Sequence, residues 1–111
     1  MEELENKVVN FLKILAHPIR LRLIETLKGT EKSVNEIQEE LGEKQSTISQ
    51  HLNKLASINV VTYRKEGQKS IYKIKNQDIF NILTKIINFI SSETKESIDN
   101  LTSKNIIDTL S

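Results

Sequence analysis

Cysteine is absent from this 111-residue chain, which excludes disulfides, thiolate metal ligands and thiol redox chemistry. Its absence suits a reducing interior. Glycine is scarce: three residues leave little for a phosphate-cradling loop, and no nucleophile–base pair stands out, so no catalytic residues are assigned. No apolar run approaches the roughly 20 residues needed to cross a bilayer. The opening Met-Glu-Glu-Leu-Glu is acidic where a signal peptide is basic, so a cytoplasmic protein with no membrane partner is expected. Proline occurs once, at Pro18, and neither an internal repeat nor a Pro/Gly/Ser-rich linker divides the chain. One domain over 1–111 is expected, with a core at 10–76 and a helix at each end for dimerisation.

Charge of either sign is nearly balanced, at a net +1, but it is segregated. Residues 31–43 carry five acids against Lys32, whereas residues 44–75 carry seven bases against Glu66 alone. A basic segment inside a near-neutral chain points to an anionic partner.

Apolar periodicity orders the elements. Leu4, Val8, Phe11 or Leu12, and Leu15 mark a helix over about 3–15. His17-Pro18 breaks it, and Pro18 suits the first position of the next helix, which carries Ile19, Leu23 and Leu27 and ends near Gly29. Asn35 can cap a third helix, with Gln38 reaching back, and Gly42 stops it. Only Gly42-Glu43-Lys44 separates this helix from a fourth at about 45–57, the signature of a helix-turn-helix pair. Lys44 is a poor residue for the position before a helix, and Ser46 can cap one turn later.

The fourth helix has Ile48, Leu52 and Leu55 on one stripe and Ser46, Ser49, Gln50 and Asn53 on another. A face of short polar groups can approach base edges in a major groove, which is wide enough for one helix. The period then changes to two: residues 60–65 and 70–75 are β-branched and aromatic runs joined through Gly67, with Arg64, Lys65 and Lys69 at the tip. Such a basic hairpin can lie along phosphates or enter the minor groove. Asn76 can cap a last helix with Ile79, Leu83, Ile86 and Ile90 on its stripe, and the tail from Ser91 is a continuation or a further helix. The fold class is therefore mostly α with a small β-hairpin, a winged helix-turn-helix.

Three segments carry a family resemblance: Leu12-Lys13-Ile14-Leu15-Ala16-His17-Pro18-Ile19-Arg20, Gln45-Ser46-Thr47-Ile48-Ser49-Gln50-His51-Leu52, and Arg64 through Tyr72. Over about residues 10–90 the chain resembles the ArsR/SmtB family of winged-helix repressors. The resemblance implies a homodimeric repressor of palindromic, double-stranded operator DNA, often released by a metal or another inducer, whose first and last long helices form the dimer interface. The family's metal sites do not carry over. Ser33-Val34-Asn35 stands where arsenic and cadmium sensors have Cys-Val-Cys, and residues 76–97 hold no His. Glu93, Glu96 and Asp99 offer a hard cation too few oxygens. No metal or cofactor is expected, and the inducer is unidentified.

The expected DNA-binding residues are Lys44, Gln45, Ser46, Thr47, Ser49, Gln50 and His51 on the recognition helix, with Arg64, Lys65 and Lys69 on the wing. The expected dimer interface joins Leu4, Val8 and Leu12 to Ile79, Leu83, Ile86 and Ile90. A scaffold whose DNA affinity is incidental is the competing reading, with the acidic third helix and the polar tail serving a protein partner.

Overall fold

The computed structural model describes the backbone of residues 1–101 and the side chains of 1–93. It divides into two compact units, Met1–Asn76 and a second beginning at Gln77. The first unit holds α1 (Glu2–Leu15), α2 (Pro18–Thr26), β1 (Glu31–Ser33), α3 (Val34–Leu41), α4 (Gln45–Ser57), β2 (Val61–Glu66) and β3 (Lys69–Ile74). The second holds α5 (Asp78–Leu101). Among the described residues no helix is long and apolar enough to cross a membrane.

Local chemistry sets most boundaries. His17 is extended and its Nδ1 accepts from the Ile19 amide at 3.1 Å, so the imidazole caps α2 and Pro18 follows at a position where its missing N–H costs nothing. The third helix starts earlier than expected. Its cap is Ser33 rather than Asn35, with Ser33 Oγ accepting from the Glu36 amide and Glu36 accepting from the Ser33 amide. This reciprocal box satisfies two otherwise orphaned donors, which Asn35 and Gln38 do not. The helix closes on Gly42 at φ 70°.

The fourth helix runs from Gln45, with Lys44 before it supplying no side-chain cap, so Ser46 lies inside the first turn. It ends in a Schellman turn. Asn59 takes φ 63°, its amide donates to Ala56 O, and the Val60 amide donates to Leu55 O. Asn is among the few residues that tolerate this conformation. The turn delivers the chain to β2, where the Lys75 amide donates back to Val60 O.

The hairpin forms as expected, slightly displaced, with Glu66 opposite Lys69 and a two-residue loop at Gly67-Gln68. Gly67 has φ 62°, the positive value such a loop demands at its first position. A third strand was not anticipated: β1 pairs antiparallel with β3, giving the order β1-β3-β2. Leu23, Ile24, Leu27, Ile37, Ile48, Leu52 and Leu55 are fully buried, and the inner sheet face adds Val61, Tyr72 and Ile74. Each such aliphatic side chain contributes roughly 1.5–3 kcal/mol through burial.

In the second unit α5 begins two residues after Asn76 and continues unbroken past Ser91 to Leu101, while Ile106, Ile107 and Leu110 lie outside the described residues. Ile86 and Ile90 are exposed on it, as are Ile82, Ile87 and Phe89, and Leu83 is half-buried. Ile79 departs from its expected role. It is 4% exposed, so its side chain is already buried and is not offered to a partner. On α1, Leu4, Val8 and Leu12 are each half or more exposed.

Candidate nucleic-acid interface

The α3–α4 pair is joined by three residues and packs through Ile37, Ile48 and Leu52, all with no exposed surface. That packing turns the opposite side of α4 to solvent. Ser46, Gln50 and Asn53 are exposed along one ridge, with Gln45 exposed and Ser49 half-buried beside it. Thr47, half-buried, flanks the ridge on its other side. The short side chains leave the helix narrow enough to enter a groove about 12 Å wide.

Beside α4 lies an open groove of about 250 Å³ between that helix, the start of α3 and the hairpin. Gln45 and Ser49 line one side of it, and Lys65, Gln68 and Lys69 the other. Four expected residues thus share one surface, and Asn35 and Gln68, which sequence patterning did not assign to DNA, join them. Asn35 is not the helix cap its spacing suggests; with Ser33 in that role, it is exposed at the groove's edge.

Two expected DNA ligands are placed elsewhere. His51 is 8% exposed and belongs to the buried side of α4 with Ile48, Leu52 and Leu55. Its Nδ1 accepts from Arg20 Nε at 3.0 Å, and its ring packs at 4.4 Å from that of His17. Burial, together with the neighbouring His17 and Arg20, holds the His51 pKa below the ordinary imidazole value. Arg20 also donates to Ile14 O at 2.8 Å, so it braces α1 and α4 from α2. Arg22 donates to Leu41 O at 3.1 Å.

Arg64 is the second. Its guanidinium donates to both oxygens of Glu31, at 2.6 and 2.8 Å, and to Glu66 at 2.5 Å. The hydrogen bond from Arg64 holds the Glu31 carboxyl below the usual carboxylate range. The sequence offers Glu66 as a local counter-charge; Glu31, 33 residues away, becomes one only through β1.

A helix-turn-helix whose second helix presents a polar ridge beside a basic hairpin defines a winged helix-turn-helix DNA-binding domain. Residues 15–64 match the model of a family described as a helix-turn-helix domain. The biofilm growth-associated repressor of Xylella fastidiosa is 31% identical over 97 residues, spanning 87% of this chain and 85% of that protein. The crystal structure of Mycobacterium tuberculosis Rv0081 is similar at a TM-score of 0.77 and 31% identity, over 86% of this chain and 96% of that one. The solution structure of a homodimeric winged helix-turn-helix DNA-binding domain of Mycobacterium bovis, a possible ArsR-family regulator, gives a TM-score of 0.72 at 27% identity, over 86% and 88% of the two chains. The chain belongs to the ArsR/SmtB family of winged helix-turn-helix transcriptional regulators.

Proposed function

We propose that the chain is a cytoplasmic, non-enzymatic repressor that binds a palindromic operator as a homodimer. The observation that carries this reading is the convergence of Gln45 and Ser49, beside α4's polar ridge, and the wing's Lys65 and Lys69 on one groove. Gln45, Ser46, Ser49 and Gln50 serve base edges, with Thr47 and Lys44 at the helix flank and start. Lys65 and Lys69 serve phosphates, because Lys only donates and carries a full charge. A twofold dimer places two such surfaces about 34–36 Å apart, one turn of B-DNA. The exposed apolar residues Leu4, Val8 and Leu12 on α1 and Ile86 and Ile90 on α5 supply the self-complementary contact.

The test is a gel-shift titration of the full chain on the DNA upstream of its own gene against a scrambled duplex. The regulator reading requires discrimination of about 10³-fold or more. Equal affinity for the two would favour the scaffold reading.

A further inference from the structure

Arg64 sits in the basic hairpin but points away from the groove. Side chains alternate along β2, so Val61, Tyr63 and Lys65 share one face and Thr62, Arg64 and Glu66 the other. The first of these faces is the one that Val61, Tyr72 and Ile74 bury, and at its outer end Lys65 lines the groove with Gln45 and Ser49. Arg64 stands on the reverse face, beside Ile71 and Lys73.

On that face the guanidinium forms a fork with Glu31, Nη1 to Oε2 at 2.6 Å and Nη2 to Oε1 at 2.8 Å. Paired parallel bonds of this kind fix orientation as well as distance. The strand order β1-β3-β2 puts the two residues on the outer strands. Their link therefore crosses the central strand diagonally, from Arg64 opposite Ile71 to Glu31 opposite Lys73. Glu31 lies two residues before Ser33, whose hydroxyl caps α3. The fork thus runs from the wing, through β1, to the first helix of the helix-turn-helix pair.

We propose that Arg64 is a positioning residue for DNA binding, holding the wing at the angle that lets Lys65 and Lys69 reach phosphate while α4 occupies the major groove. The proposal rests on the DNA-binding function proposed above. An exposed ion pair adds little to folding, so its effect is expected in wing geometry rather than in stability. Acting as a phosphate ligand instead would require Arg64 to leave two carboxylates.

The experiment uses the full chain and an operator selected from a random DNA pool. Wild type is measured first across a range of salt concentrations; if it selects no sequence, the DNA-binding function fails before Arg64 is tested. Glu31→Gln, Arg64→Ala and the exchanged pair Glu31→Arg/Arg64→Glu follow. Glu31→Gln and Arg64→Ala should each weaken operator binding about three- to tenfold, with melting temperatures close to wild type. Each should lower the log–log salt slope by up to about 1.8, the loss of one wing phosphate contact per subunit. The exchanged pair should restore both quantities toward wild type. Opposite responses, with Glu31→Gln binding tighter and Arg64→Ala weaker, would make Arg64 a phosphate ligand restrained by Glu31 and overturn the proposal. Unchanged affinity and slope in the single variants, or an exchanged pair no better than they are, would overturn it as well.

Discussion

Gln50 and Lys65, both assigned to the proposed DNA interface, should respond to different parts of a duplex. Gln50 is exposed on the α4 ridge, and its amide can both donate and accept, as base-edge recognition requires. Gln50→Ala is expected to cost about 1–3 kcal/mol at one operator position, read by competition against single-base operator variants. Lys65 lines the groove from the wing and carries only donors and a charge. Lys65→Ala should weaken specific and scrambled duplexes alike and lower the salt slope by about 1.8 in a dimer. A uniform loss for Gln50→Ala, or an unchanged slope for Lys65→Ala, would reverse the two roles. The ridge itself was legible from residue type and helical spacing. Arg64 was not, because its controlling partner Glu31 is remote in the chain and no local pattern announces the pairing.

At the scale of elements, α4 is both the proposed reader and a brace. His51 accepts from Arg20 through Nδ1, and Arg is always a donor, so the imidazole there is neutral with its proton on Nε2. Protonation would remove that acceptor and set a positive charge against the Arg20 guanidinium, with Glu43 the opposing influence. The folded pKa is depressed below the unfolded value of about 6.5, so between the two the unfolded chain binds more protons. The stability from neutral His51 is thus fully present above about pH 6.5 and is lost as pH falls toward the folded pKa. Thermal melts from pH 7.5 to 5 should show this loss, and His51→Gln, which keeps an acceptor for Arg20, should reduce it. An equal acid sensitivity in the variant would place the titrating group elsewhere. A signal for His51 did exist: it is three residues after Ile48 and four before Leu55, on the apolar stripe. The first cap of α3 was equally visible as Ser33 and Glu36 at capping-box spacing, but Asn35 and Gln38 offer the same spacing two residues on. Packing of β1 decides between them.

For the whole molecule, the proposed assembly draws on exposed apolar residues of α1 and α5, and folding on the order of the sheet. Ile86 is exposed on α5 and Leu4, Val8 and Leu12 on α1. Ile86→Asp places an unpaired charge in the proposed twofold contact and should yield monomers by light scattering, with operator affinity falling as the two half-sites lose their linkage. A dimer that survived the change would put the contact on another surface. The helices and hairpin were legible because each repeats its period several times. β1 was not, since Glu31–Ser33 is too short to show alternation and becomes a strand only by its register with β3. That register has a kinetic consequence. The β2–β3 hairpin closes locally through Gly67-Gln68, whereas β1 joins β3 only after a loop holding α3 and α4 has closed. Loop closure grows costly with length and slows pairing between distant segments. The third strand therefore pairs later than the hairpin, and completes the domain by fastening the helix-turn-helix pair between two strands of one sheet.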